Sequence, residues 1–214
     1  MALNQTALQK KRAKKSEQRN GTKKRPTSGL VNLWSSAREW AAAADAQIAD
    51  VLVPGSLFQN GMGSIWFSRR LADGRYALSM FLIDAYCLGI KNALYAIVEP
   101  DNYARRLEKL RDAYPDYQRE HPAYARKLVE QAAAFARDLG FDPHPDCKMA
   151  RIIFGGVDAA ACPVKFSFGR EGKPFFISGP DDTPTVQKRV MRQLERRCGA
   201  GGFDFLVTTA DPSW

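Results

Sequence analysis

The sequence predicts an α+β fold: a mainly antiparallel sheet built from two hairpins, helices packed on it, and a disordered basic tail in front. Three observations carry this expectation. A tight-turn dipeptide, Asp73-Gly74, separates two β-rich runs at residues 64–71 and 75–83. Helical periodicity is confined to other stretches, chiefly 102–113, 122–139 and 183–198. The cationic residues, finally, are concentrated at one end of the chain.

That end comes first. Lys10, Lys11, Arg12, Lys14, Lys15, Arg19, Lys23, Lys24 and Arg25 face the single acid Glu17 within residues 1–30, a net charge of nine minus one, or +8. The whole chain carries +9, so the remaining 184 residues are close to neutral, at +1. A segment with so little apolar surface cannot offset the entropy of ordering by burial, and it is expected to be disordered when free. Such arms gain affinity by releasing counterions from phosphate backbones, and this one has no aromatic residue with which to stack on bases. Pro26, Thr27, Ser28 and Gly29 mark a linker, which assigns residues 1–29 to tail and linker and 30–214 to one globular domain.

Within that domain, residues 30–47 read as a helix with Leu30, Leu33, Trp34, Ala37, Ala41 and Ala44 on one face, and 48–53 as a short strand stopped by Pro54-Gly55. The run at 75–83 is apolar on both faces, as a covered central strand should be. Residues 92–98 are apolar enough to continue as a helix. Helices follow at 102–113 and at 122–139, the second stopped by Gly140. A second hairpin is expected from 164–168 and 174–178 around Gly169-Arg170-Glu171-Gly172. Thr183 caps a final helix with Pro184 in its first turn and Gly199 after its end, and residues 203–207 close as a strand.

Of the 214 residues, 45% are hydrophobic and 26% charged, an ordinary balance for one globular domain. There is no run of eighteen apolar residues and no apolar secretory core near Met1, so neither a membrane span nor export is expected. Cys87, Cys147, Cys162 and Cys198 are scattered without a C-x-x-C pair, which fits a reducing, cytoplasmic setting.

Two segments, residues 83–92 (IDAYCLGIKN) and 168–180 (FGREGKPFFISGP), resemble segments of a small family of bacterial proteins, largely of unknown function, some of which also begin with a basic tail. The resemblance extends over most of residues 48–207 and implies no activity and no catalytic residue.

Chemistry is densest at Asp84, Cys87 and Lys91. At a strand-to-helix junction, a helix N-terminus and Lys91 would lower the Cys87 thiol pKa, and Asp84 would serve as acid, base or ligand. The plainer alternative makes Cys87 a core residue and Asp84 the cap of a turn. Asp146 with Glu171 and Lys173 matches a nuclease pattern in residue type, but in a glycine turn instead of a strand. His144 and Cys147 lack the second closely spaced pair that a zinc site needs. His121 and His144 are flanked by prolines and have no nucleophile motif beside them. No P-loop or other cofactor motif is readable, and no cofactor is expected.

The final helix offers Lys188, Arg192 and Arg196 at i, i+4 and i+8, with Arg189 and Arg197 beside them. Val186, Val190, Met191 and Leu194 form its buried stripe. Arg69, Arg70 and Arg75 of the first hairpin could add backbone contacts. The expected function is therefore an accessory protein that binds RNA, ribosome or DNA through the tail and the basic face of this helix. A small enzyme, a nuclease among the options, centred on Asp84, Cys87 and Lys91 is the first alternative, and an adaptor for a protein partner is the second.

Overall fold

A computed structural model of the chain describes residues 37–113, 115–180 and 182–207. The basic residues Lys10 to Arg25 and the first part of the helix expected at 30–47 lie outside the described residues.

The described chain opens with α1 (Ala37–Ala42) and a 3-10 turn at Ala43–Asp45, then enters β1 (Gln47–Pro54). The expected helix therefore stops short of Gln47, which pairs with Arg70 across the sheet. A single helical turn, α2 (Leu57–Asn60), leads into β2 (Met62–Arg70), β3 (Tyr76–Asp84) and β4 (Gly89–Val98). The β2–β3 hairpin turns at Asp73-Gly74 as expected, closed by Leu71 N–H donating to the Arg75 carbonyl at 2.8 Å. Next come α3 (Pro100–Ala113), β5 (Tyr117–Arg119) and α4 (Pro122–Asp138). The five strands form one sheet in the order β4-β3-β2-β1-β5, antiparallel throughout.

Residues 92–98 are strand, not helix. Ala93 and Ile97 join the core on one face of the sheet, and Leu94, Ala96 and Val98 pack on the other. A strand covered on both faces reads as a continuous apolar run, which periodicity alone cannot tell from a buried helix.

The main core lies on the face covered by α4, by α5 (Cys147–Ala150) and by the 3-10 turn Arg151–Phe154, where Leu128, Val129, Ala132 and Ala133 meet Phe67, Phe81 and Ile83. Arg69 is buried in this layer. Its Nε donates to the Ile153 carbonyl at 2.6 Å, Nη2 to the Phe154 carbonyl at 2.9 Å and Nη1 to the Ala46 carbonyl. Arg75 is held by Glu39 and Asp73. Arg69 is therefore not free to add a backbone contact, whereas Arg75 stays at the surface in its ion pairs.

The opposite face carries α3. There Tyr103 stacks on Tyr76 at 4.0 Å and bonds Ser68 at 2.7 Å, while Asp50 accepts from both Tyr103 and Arg119. This network satisfies a carboxylate at a position only 8% exposed.

After a 3-10 turn at Ala159–Ala161, residues 162–168 join no strand, with Phe166 stacked on Phe58 and Phe168 on Phe135. The second expected hairpin is thus reduced to its turn, in which Arg170 and Lys173 exchange backbone bonds of 2.8 and 3.0 Å. The partner of β6 (Phe175–Ile177) is instead β7 (Asp204–Leu206), aligned parallel, with α6 (Pro184–Cys198) between them in sequence. The sheet's second hairpin is β3–β4. Thr183 caps α6 as expected, its hydroxyl accepting from Val186 N–H at 3.4 Å.

Candidate nucleic-acid interface

The β3–β4 turn organises this end of the molecule. Asp84 Oδ1 accepts from Tyr86 N–H at 3.0 Å and from Cys87 N–H at 2.9 Å, which closes the turn from below. Gly89 follows with φ of +62°, and a Cβ there would sit 2.5 Å from the Ala132 carbonyl oxygen, so only glycine lets the hairpin lie against α4. The β3–β4 register then slips by one residue: Leu82 pairs with Asn92 but Ile83 with Ile90, which leaves Lys91 as the extra residue of a bulge. Bulges of this kind re-aim a side chain, and Lys91 lines the adjacent groove.

The second wall comes from the end of α4. Gly140 N–H bonds the Arg137 carbonyl and Phe141 N–H the Ala136 carbonyl, both at 2.8 Å, a paired C-terminal cap that turns the chain sharply away. His144 N–H then donates to the Ile90 carbonyl at 3.0 Å, tying the 140–145 segment to β4.

The third wall is α6. Val190 and Leu194 bury its inner stripe beside Cys87, Leu139 and Phe176. Gln193 Nε2 donates to the Leu139 carbonyl at 3.0 Å and Arg197 Nε to the Asp138 carbonyl at 2.7 Å. Two side chains of α6 thereby satisfy carbonyls that the end of α4 leaves open.

Between α6 and the 140–145 segment lies a groove of about 930 Å³. Leu88, Ile90, Phe141, Val186 and Val190 line it with apolar surface. Lys91, Arg189, Arg192 and Arg196 supply four cations against one lining carboxylate, Asp142. Arg189, Arg192 and Arg196 are exposed, and their side chains make no hydrogen bond or ion pair with any other described residue. Lys91 faces Asp182 at 4.0 Å. On the far side of the segment 142–145, which it shares with the groove, a second hollow of about 570 Å³ includes Arg137, Lys148 and Arg151 in its lining. The Nε of Arg151 is buried with no partner among the described residues.

The structure thus separates what the sequence grouped. Asp84 and Cys87 lie beneath the turn, with Cys87 fully buried and Asp84 3% exposed. Burial pushes the Cys87 thiol well above its ordinary pKa and nearby Asp84 adds to the shift; burial likewise raises Asp84, against the opposing pull of the backbone N–H groups and Lys91. The helix N-terminus that would have activated the thiol is a strand, and the pull of Lys91 on Cys87 is outweighed by burial, so the thiol stays protonated. Lys91 lines the groove while staying within electrostatic reach of both buried groups. Arg192 and Arg196 are brought to the groove; Lys188, one helical step away, does not line it.

His121 caps α4, its Nδ1 accepting from Ala123 N–H at 3.2 Å. Among the described residues no three His, Cys, Asp or Glu side chains are grouped to hold a metal ion. Arg137, Lys148 and Arg151 were not picked out by sequence reasoning. Their only sequence signal is the Pro143-His144-Pro145 segment that divides the two hollows, and proline flanks alone do not say which face a loop presents.

The fold and this groove define an α+β domain with a cationic, apolar-floored cleft at the end of its sheet. Comparison with protein-family models, with curated proteins and with solved structures finds no match.

Proposed function

We propose that this protein binds nucleic acid, with the groove between α6 and the 140–145 segment as the folded contact and the N-terminal basic segment as a second, purely electrostatic contact. The observation that carries the reading is the set of three α6 arginines that line the groove without a partner among the described residues. Guanidinium groups with open donors match phosphate geometry, and phosphate contacts dominate the affinity of proteins for nucleic acids. The charge of the first 30 residues, +8, adds a sequence-independent attraction of the same sign. All four cysteines are free, which supports a reducing, cytoplasmic setting for this activity.

The test is a salt titration of affinity for RNA and DNA. Log affinity should fall linearly with log salt, with a slope of roughly 0.7 per phosphate contact on single strands and roughly 0.9 on duplex. Replacing Arg189, Arg192 and Arg196 together by Ala should flatten the slope by about two units while leaving thermal unfolding in place. An intact chain that binds neither polymer at low salt would overturn the proposal.

A further inference from the structure

We infer that the groove is built for an unpaired nucleotide rather than for the outer surface of a duplex; this rests on the nucleic-acid reading above and narrows it. A surface that meets only duplex backbone needs cations on its rim and has no use for a recessed apolar floor, because the faces of paired bases are covered by their neighbours. Here the rim and the floor occur together. Arg189, Arg192 and Arg196 stand at i, i+3 and i+7, the spacing of one helix face, with Lys91 also in the lining. Below them lie Leu88, Ile90, Val186, Val190 and the aromatic ring of Phe141. At about 930 Å³ the groove falls within the range of small-ligand clefts, roughly 300–1,000 Å³, and has room for a splayed-out nucleotide.

Two side chains suit the face of a base. Phe141 lines the groove where the α4 cap turns the chain, and the His144 imidazole stands at the end of the same segment. His144 is held in place: its Nδ1 accepts from Asp146 N–H at 3.2 Å and its own N–H is tied to β4. Aromatic and imidazole rings on fixed backbone are the usual platforms for unstacked bases, and cationic rims track the backbone of the same strand. The division of labour is then specific: the α6 arginines and Lys91 hold phosphates, and Phe141 and His144 take the base.

The experiment uses the full chain and labelled single-stranded RNA, single-stranded DNA and duplex DNA of equal length, at one fixed ionic strength. Single strands should bind about tenfold more tightly than duplex. Phe141→Leu keeps an apolar side chain against the Leu139–Val190 cluster and removes only the ring, so it should weaken single-strand binding about fivefold and leave duplex binding unchanged, with at most a small drop in melting temperature. Val186→Asp places a carboxylate on the floor at a first-turn position that favours acidic residues, so the helix should form normally. That variant should cut single-strand affinity by more than tenfold. Duplex binding as tight as single-strand binding, with Phe141→Leu silent on both, overturns this inference and leaves the nucleic-acid reading standing. Failure of all three polymers to bind overturns the nucleic-acid reading itself.

Discussion

Arg69 and Arg192 carry the same guanidinium and live by opposite rules. Arg69 is 5% exposed and its donors meet the carbonyls of Ile153, Phe154 and Ala46, so it fastens the 3-10 turn after α5 and the end of the first helical segment to the sheet. Arg192 is exposed, stands on a helix whose inner stripe is already buried, and has no partner among the described residues. A count of cations therefore says little about ligands until the donors are followed to their acceptors. A guanidinium whose hydrogen bonds are complete stabilises the fold. One held at a groove with open donors is available to an anion.

The fold should be most sensitive at Arg69. Arg69→Ala should cost about 3–5 kcal/mol, because it leaves buried carbonyls without donors as well as a cavity. Chemical denaturation would read it as a large drop in midpoint, and Arg69→Lys should recover only part, since an ammonium cannot reach three separated carbonyls. A midpoint unchanged in Arg69→Ala would mean that the clamp is not what holds this layer.

Asp84 tests the buried side by pH. Its folded-state pKa is raised by burial, so the stability it contributes is full below the ordinary carboxylate pKa and is lost as pH rises through the raised value. Asp84→Asn keeps the side-chain oxygen that closes the turn and cannot ionise. Relative to the natural chain, this variant should therefore gain stability from acid to neutral pH; a constant difference across that range would contradict the burial argument.

Cys87 sharpens the same contrast in reactivity. Under native conditions alkylation should reach the half-buried Cys198 well before Cys87, whose thiol is buried and held protonated. Rapid modification of Cys87, followed by mass spectrometry, would reverse that order and revive the catalytic alternative.

The smallest expected effect separates two neighbours on α6. Arg192→Ala should lower the salt slope for nucleic-acid binding by about one unit, whereas Lys188→Ala, which changes a residue outside the groove lining, should leave it nearly unchanged. Both substitutions should alter stability by less than about 0.5 kcal/mol, as surface changes do. Equal effects on the slope would mean that the ligand follows the whole basic face of the helix.

Much of the fold could be read along the chain because local chemistry dictates it. Asp73-Gly74 permits few arrangements other than a tight hairpin turn, Thr183-Pro184 sets the start of α6, and Gly140 in a left-handed conformation ends α4. The concentration of positive charge before residue 30 is likewise fixed by composition. What local chemistry could not decide was partnership. The apolar run at 92–98 became a strand because β3 offered it a ladder, and residues 175–177 took a distant parallel neighbour over the near one suggested by their turn. The same holds for the site. Asp84, Cys87 and Lys91 are close in sequence, yet a buried turn and a one-residue bulge send them to different environments. Lys91, Phe141, His144 and Arg192 come from three separate stretches and meet only where β4, the end of α4 and α6 converge. Turns and caps are set by residues a few positions apart, so the sequence determines them alone. Burial and the completion of hydrogen bonds depend on residues far apart in the chain, and only the tertiary structure decides them.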